Sequence, residues 1–248
     1  MSRDERALGT GLTDPHVPRV LAEGALDVVG LLPNASNGTF LARAVHGDEQ
    51  ELAVYKPRRG EAPLWDFPDG TLAKREVAAY LVARALGWPD VPATLLRDGP
   101  HGVGSVQRFV RFDPEEHYFT LAERFRDEFR RIASFDLVVN NADRKAGHCL
   151  LGEDGRIHVV DHGVCFSPEP KLRTVIWEVA GEPIPVSLRE DLRRLANEVR
   201  VGTLRAELAP LLDEEEIDAL ADRADATARL ERFPDPDPDR RPFPWPPI

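Results

Sequence analysis

Residues 134–166 read SFDLVVNNADRKAGHCLLGEDGRIHVVDHGVCF, and this stretch decides the fold. Its apolar runs 149–151 and 157–160 predict two short strands, and the Asp-Gly pair between them is a β-hairpin signal. Residues 140–148 are too polar for a core and predict a loop that leads into the first strand. A polar loop carried by a rigid hairpin is the kind of scaffold on which proteins mount chemistry.

Three side chains with the chemistry of a functional site fall at one end of this hairpin. Asp143 and His148 precede the first strand, and Asp161 follows the second. A hairpin returns the chain to the edge from which it started. We therefore expect the two carboxylates and the imidazole to converge there.

The composition is that of a globular protein with an excess of acidic residues. The 248 residues are 42% hydrophobic and 30% charged, which is enough for a sizeable core in one bilobal domain or two small domains. The net charge of −11 argues against general nucleic-acid binding and against electrostatic docking on anionic membranes. The basic patch 56–59 is a local exception that could face a phosphate. We therefore expect no nucleic-acid partner.

Neither a membrane span nor a secretory leader is predicted. No apolar run approaches the length of a transmembrane helix, and the opening residues MSRDERALGTG lack the apolar segment of a signal peptide. We therefore predict a cytoplasmic protein with no integral membrane association. We expect the two cysteines, Cys149 and Cys165, to be buried small apolar side chains, with a redox or metal role as the alternative.

The first half of the chain predicts a β-rich region in which one strand ends in a lysine. Residues 20–26 predict a short helix, and residues 26–32, 40–45 and 51–57 predict strands. Alternation along the last strand places Lys56 on an apolar face. Because an unpaired ammonium group is costly to bury, Lys56 needs an anion nearby.

The helix that follows can supply this anion. Thr71 is a suitable cap for a helix over residues 72–86, and Gly87 is a suitable end. Glu76 lies on the first turns of this helix, and we predict that it pairs with Lys56.

The second half predicts helices joined by extended segments. Three capping boxes predict helices that end near residues 134, 208 and 232: Thr120-x-x-Glu123, Ser187-x-x-Glu190 and Asp213-x-x-Glu216. Residues 167–185 are rich in proline and predict an extended segment. We interpret its Lys171 and Arg173 as solvated loop cations, with contact to a phosphate or an acidic acceptor as the alternative.

The end of the sequence predicts a proline-rich tail. Seven of the residues 234–248 are proline, which excludes a helix and favours an extended chain. This tail either wraps the domain through Phe243 and Trp245 or binds a protein partner.

The central motifs resemble those of a known enzyme family. The loop Asp143-Arg-Lys-Ala-Gly-His148, the short hairpin and then Asp161-His-Gly163 are similar to the catalytic core of the phosphatidylinositol 3- and 4-kinases and of their bacterial relatives, including the toxin-type serine/threonine kinases. Those kinases show Asp-Arg-x-x-x-Asn and Asp-x-Gly at these places. The longer stretches NNADRKAGHCLL and VVDHGVCF resemble a chiefly actinobacterial family, distantly related to these kinases, over most of residues 15–233.

The resemblance implies an α+β, bilobal protein-kinase-like fold, with a small β-rich N-lobe and a mainly helical C-lobe. On this basis we expect a flexible N-terminus over residues 1–15, the N-lobe over 16–112 and the C-lobe over 113–233. The proline-rich tail then occupies residues 234–248.

The resemblance also implies an ATP- and metal-dependent phosphotransferase. Asp143 would orient or deprotonate the acceptor hydroxyl, while His148 and Asp161 would hold Mg²⁺ or Mn²⁺. Lys56 would bind the α- and β-phosphates and pair with Glu76. These are the parts that phosphoryl transfer requires, because positioning and charge stabilisation supply most of its catalysis.

Two further nucleotide contacts follow from the same resemblance. The turn that contains Ser36, Asn37 and Gly38 would cover the phosphates with backbone N–H groups. The strand end from Gln107 to Val110 would contact adenine, with Gln107 and Phe109 as the named contacts.

The sequence departs from the family pattern at two positions. His148 replaces the metal-binding asparagine, and imidazole suits Mn²⁺ or Zn²⁺ better than Mg²⁺. His162 replaces the phenylalanine of the Asp-Phe-Gly pattern. Two alternatives therefore stay open: a nucleotide-binding pseudokinase or regulatory module, and a metal-dependent hydrolase built on His148, Asp161 and His162 with His158 in the metal shell. Lipid, protein and small-alcohol acceptors all fit the kinase interpretation.

Overall fold

The computed structural model describes residues 14–32 and 38–248. These residues form two compact units. The first comprises the described residues up to Tyr80 together with Pro92–Phe109, and the second comprises Leu81–Val91 together with Val110–Ile248.

The first unit is built on one antiparallel sheet. Its elements are α1 (Arg19–Glu23), β1 (Ala25–Leu31), β2 (Phe40–His46), β3 (Glu49–Pro57), the start of α2 (Leu72–Leu86), β4 (Thr94–Gly99) and β5 (Gly102–Arg108). The five strands lie in the order β1-β2-β3-β5-β4, so β3 is central. Alternation along β3 follows the sequence pattern, because Ala53 and Tyr55 are fully buried while Lys56 faces the other side.

Helix α2 has the bounds that the sequence predicts. Its start is capped by the carboxylate of Glu61, which accepts hydrogen bonds from the N–H groups of Leu72 (3.2 Å) and Ala73 (2.9 Å). The hydroxyl of Thr71, the predicted cap, instead donates to the carbonyl of Pro68. Gly87 follows the helix with φ +80°, a conformation that glycine adopts without steric cost.

The second unit is mainly helical and carries the predicted hairpin. Its elements after α2 are α3 (Tyr118–Leu121), α4 (Arg126–Val139), β6 (Cys149–Leu151), β7 (Ile157–Val159), α5 (Val186–Val201), α6 (Thr203–Leu208) and α7 (Glu214–Arg229). Strands β6 and β7 pair in antiparallel fashion, as the Asp-Gly signal predicts. Both cysteines are buried, and burial raises the pKa of the Cys149 thiol to about 12, which disfavours a reactive thiolate.

Two of the three predicted capping boxes are wrong. Thr120 accepts a hydrogen bond from the N–H of His117 (3.0 Å) and so belongs to the short helix α3, while the long helix α4 starts only at Arg126. Helix α4 also continues to Val139 because its last apolar residues are buried. Helix α5 starts at Val186 without a side-chain cap. The extended Gly202 separates it from α6, although the sequence pattern predicted one helix.

The third capping box is confirmed, and the tail packs on the second unit, although not through Phe243 and Trp245 as predicted, because both of these side chains are exposed. Asp213 and Glu216 cap α7 reciprocally. The tail accepts hydrogen bonds through its backbone carbonyls. That of Pro242 accepts the backbone N–H of Thr174 and the indole N–H of Trp177, and that of Pro247 accepts the backbone N–H of Ala146. In the described part of the chain, no helix is long and apolar enough to cross a membrane.

A buried histidine fastens the hairpin to the turn that follows α2. The Nε2 atom of His158 lies 3.1 Å from Asp154, and its Nδ1 lies 3.2 Å from Asp90 in a contact poorly aligned for a hydrogen bond. Arg156 pairs with both carboxylates. Burial opposes protonation of His158, but the two carboxylates outweigh it and raise the pKa of the ring.

We predict that replacing His158→Gln lowers the free energy of unfolding by about 1 kcal/mol in acid and by less in alkali. Because the folded pKa is raised, the stabilisation by His158 is complete below about pH 6.5 and is lost as the pH rises through the folded value. Urea unfolding of both proteins from pH 5.5 to 9 measures this difference. A difference that does not change with pH would contradict the prediction.

Candidate active site

In the first unit, Lys56 and Glu76 form the ion pair that the sequence predicts. The side chain of Lys56 is 22% exposed and that of Glu76 is 4% exposed. A nearly buried glutamate on α2 therefore holds a partly accessible ammonium group at the end of β3. Such a pair fixes the lysine in one place.

The predicted phosphate-covering turn is described only in part. Ser36 and Asn37 lie outside the described residues. Gly38 donates its N–H to the carbonyl of Gly60 (3.1 Å), and a Cβ on Gly60 would lie only 3.1 Å from the Cα of Gly38. The exit of the turn is thus fixed by close contact between two glycine backbones.

The predicted adenine contacts are engaged inside the sheet. The side-chain amide of Gln107 is buried and donates to the hydroxyl of Thr94 (2.8 Å). The backbone N–H of Phe109 donates to the carbonyl of Leu52 (3.0 Å). These two donors therefore already have partners, and Gln107 and Phe109 stay predicted adenine contacts only through their other atoms. A base that is recognised through backbone N–H groups has to bind residues further along the chain.

In the second unit, the ends of the hairpin bring together the residues that the sequence singles out. The Nε2 atom of His148 lies 3.3 Å from Oδ2 of Asp161. Two backbone hydrogen bonds hold the loops in place, from Val160 N–H to the carbonyl of His148 (3.0 Å) and from Ala142 N–H to the carbonyl of Val164 (3.0 Å). The predicted convergence of His148 and Asp161 is present.

Asp161 has a left-handed backbone, with φ 62°. This conformation is uncommon for any residue other than glycine, although aspartate tolerates it better than most. Strained backbones of this kind concentrate at functional sites, where the surrounding structure enforces them. Here the strain turns the carboxylate towards His148 at the exit of β7.

Asp143 lies in the same loop as His148 and is positioned by its neighbours. Its N–H donates to the side-chain oxygen of Asn141 (3.0 Å), and its Oδ2 lies 3.4 Å from Nζ of Lys145. Burial raises the pKa of the Asp143 carboxyl, Lys145 opposes this shift and Asp161 reinforces it. A carboxylate with a raised pKa is a better proton acceptor than an ordinary surface aspartate.

His148 and Asp161 fit a divalent cation under one condition. The Nδ1 atom of His148 accepts the N–H of Lys145 (3.3 Å), so the neutral ring carries its proton on Nε2, which faces Asp161. A metal at Nε2 has to displace that proton. The nitrogen-and-oxygen donor set then suits Mn²⁺ better than Mg²⁺.

His162 is directed away from this pair. It is fully buried, and its Nε2 lies 2.7 Å from the guanidinium of Arg144, which can only donate. The Nε2 lone pair is therefore used inside the protein. No group of three His, Cys, Asp or Glu side chains suited to a metal is found within residues 14–32 and 38–248, so the hydrolase arrangement predicted as an alternative is not formed there.

Arg144 lies in the candidate site loop, and its structural role was not predicted from the sequence. Its guanidinium is fully buried, forms a two-pronged ion pair with Asp136 on α4 and donates to the carbonyl of Val160 (3.0 Å). The same Asp136 accepts from the side chain of Asn141 (3.0 Å). The signal for this network was Asp136 itself, because a carboxylate within the apolar run FDLVV needs a buried partner.

We predict that Arg144→Met lowers the free energy of unfolding by about 3–5 kcal/mol, because it leaves the buried charge of Asp136 without its partner. The control is Arg200→Met, which removes an exposed cation paired with Asp222 and Asp225 and should cost less than about 1 kcal/mol. Urea unfolding measures both. The double variant Arg144→Met/Asp136→Leu should recover part of the loss, and equal losses for the two single variants would contradict the prediction.

The chain is similar to two proteins of known sequence. Protein Rv2133c of Mycobacterium tuberculosis (strain ATCC 25618 / H37Rv) is 41% identical over 268 residues, which cover 94% of this chain and 95% of that protein. Phosphatidylinositol 4-kinase gamma 4 of Oryza sativa subsp. japonica is 29% identical over 205 residues, which cover 70% of this chain but only 36% of the plant protein.

Comparison with solved structures gives the fold. The crystal structure of a Helicobacter pylori proinflammatory kinase, CtkA, matches with a TM-score of 0.51 at 12% identity and covers 85% of this chain and 93% of that one. The predicted α+β, protein-kinase-like fold is thereby confirmed. The family model for phosphatidylinositol 3- and 4-kinase matches residues 76–209, a span that includes Glu76, Asp143, His148 and Asp161. The chain therefore belongs to the phosphatidylinositol 3- and 4-kinase family.

Proposed function

We propose that this protein is an ATP- and metal-dependent phosphotransferase that acts on an alcohol group. The observation that carries the proposal is the ion pair between Lys56 and Glu76. A nearly buried glutamate that fixes a partly accessible lysine serves to hold phosphates, and a hydrolase built on histidines and carboxylates has no use for it. Family membership supports the same class of reaction.

The residues divide the work as phosphoryl transfer requires. Lys56 binds the α- and β-phosphates, and Glu76 keeps it in place. Asp143 orients the acceptor hydroxyl and takes up its proton, a role that its raised pKa supports. Lys145, whose Nζ lies 3.4 Å from Oδ2 of Asp143, opposes that rise of the pKa. Arg144 acts only by holding the loop.

His148 and Asp161 are the residues that would hold the metal. A divalent cation bound there would neutralise charge on the phosphates. The imidazole of His148 is the reason to expect Mn²⁺ to serve at least as well as Mg²⁺.

A nucleotide-binding regulatory role is the second candidate. The specific observation in its favour is that Nδ1 of His148 accepts the N–H of Lys145, which puts the ring proton on the nitrogen that faces Asp161. If that proton stays, Asp161 alone serves the metal, and nucleotide binding persists without efficient transfer. Transfer from labelled ATP into a cell lysate separates this candidate from the kinase.

The proposal also covers the class of phosphoryl acceptor and the cellular location. The net charge of −11 disfavours a phosphoinositide in a bilayer and favours a protein hydroxyl or a small alcohol. We propose a cytoplasmic location and no nucleic-acid partner. The tail over residues 234–248 is proposed to be available to a protein partner through Trp245, whose side chain is exposed.

We predict that two conservative substitutions affect different steps, one the binding of nucleotide with metal and the other the transfer of the phosphoryl group. Asp161→Asn should abolish the melting shift caused by ATP with metal, because the metal loses its carboxylate. Asp143→Asn should retain that shift but slow transfer at least about 100-fold, since it removes the proton acceptor. Thermal-shift and labelled-ATP assays measure the two properties, and the exposed Asp222→Asn is the control that changes neither. Full turnover by Asp161→Asn would remove Asp161 from the mechanism.

We predict that His148→Asn changes the metal preference. Asparagine offers a hard oxygen in place of a nitrogen, so the ratio of activity with Mg²⁺ to activity with Mn²⁺ should rise roughly tenfold. Metal titrations of ATP turnover, with the melting shift by nucleotide as a second readout, measure this ratio. An unchanged ratio in both readouts would show that His148 does not contact the metal.

A further inference from the structure

The first unit contains a cavity of about 570 Å³ that none of the proposed nucleotide contacts explains. Its walls are the loop between β3 and α2, the first turn of α2 and the ends of β4 and β5. All of its lining residues belong to the first unit. This volume falls in the range of sites for small molecules.

The apolar side chains of the cavity are mostly aliphatic. Its apolar side chains include Leu64, Phe67, Leu72, Leu96 and Val103. The ring of Phe67 is covered by the guanidinium of Arg75, at 5.0 Å from the ring centroid. The cavity therefore suits an alkyl or acyl chain better than a stacked aromatic base.

The cavity also carries a local excess of positive charge in an acidic protein. Arg58, Arg59, Lys74 and Arg97 line it, together with three carboxylates. One of these carboxylates, Glu61, is directed at the first N–H groups of α2, where the helix dipole compensates its charge. Arg97 is held by the backbone carbonyls of Leu21 and Gly24 and does not move freely.

Two consecutive arginines flank the cavity on different sides. The guanidinium of Arg58 packs directly on Gly70 in the loop before α2. The Nε atom of Arg59 lies 3.9 Å from the position that a Cβ on Gly102 would take, beside the turn between β4 and β5. Both arginines are exposed, so their charges are accessible from solvent.

We propose that this cavity binds a small amphipathic anion, a molecule with an aliphatic chain and a single phosphate or carboxylate head group. The chain contacts the aliphatic side chains of the cavity, and the head group pairs with Arg59 at the rim. The occupant is a free molecule rather than a bilayer surface, because the site is a concave cavity of limited volume. This site goes beyond the proposed phosphotransfer, and its test requires neither nucleotide nor catalysis.

The test titrates decyl phosphate into the full chain by calorimetry, below the concentration at which the probe forms micelles. We expect saturable one-to-one binding, and binding by decanol, which lacks the charge, at least about tenfold weaker. A parallel titration with sodium decanoate distinguishes the two head groups, because the probe that binds more tightly carries the head group that the site recognises. Equal binding of decyl phosphate and decanol would overturn the proposal.

Three variants locate the binding. Arg59→Glu should weaken decyl phosphate binding at least about tenfold, and Val103→Trp, which fills the cavity, should abolish it. The matched control is Arg43→Glu, an exposed residue of β2 that does not line the cavity and makes the same change in net charge. Melting temperatures of the variants check their folding. The proposal would be overturned if Val103→Trp left binding unchanged, or if Arg43→Glu weakened binding as much as Arg59→Glu. It would also be overturned if the protein bound only to anionic vesicles.

Discussion

The second unit depends on one buried ion pair, between Arg144 and Asp136. Either group alone would destabilise the core, because an isolated buried charge costs several kcal/mol. Together they satisfy each other, and the remaining donors of Arg144 reach the carbonyl of Val160 and the ring of His162. One guanidinium thus joins helix α4, the loop 140–148 and the segment after β7. The ion pair fixes these three segments in place, and this matters more than its contribution to net stability.

The conformation of the candidate site follows from that fixed point. Val160 is held by Arg144 through its carbonyl and by His148 through its N–H. The next residue is Asp161, whose backbone lies in the left-handed region. The cost of the strained backbone is of order 1–3 kcal/mol, which the buried network is able to sustain. The carboxylate of Asp161 is consequently held beside His148 before any ligand binds.

The sequence was sufficient where a local pattern and a physical requirement agree. Alternation placed Lys56 on an apolar face, the cost of burying an ammonium demanded an anion, and Glu76 on the next helix met that demand. The hairpin signal likewise brought His148 and Asp161 together. It was insufficient where tertiary contacts chose between local options. Thr120 could form a capping box with either Glu123 or His117. Gly202 could either be tolerated within one long helix or separate two helices. The side chain of Gln107 donates to Thr94 on the neighbouring strand, a partner that no local pattern predicts.

The proline-rich tail shows how composition alone can understate a structural role. Proline has no N–H, so a run of prolines offers the surrounding chain carbonyl acceptors with few competing donors. Loops have the opposite need, because their N–H groups lack the partners that a helix or sheet supplies. The carbonyls of Pro242 and Pro247 meet this need for the backbone N–H groups of Thr174 and Ala146, and that of Pro242 also accepts the indole N–H of Trp177. Since Ala146 lies between Asp143 and His148, the tail completes the hydrogen bonding of the loop that carries the proposed chemistry, and a partner that displaced the tail would uncover that N–H.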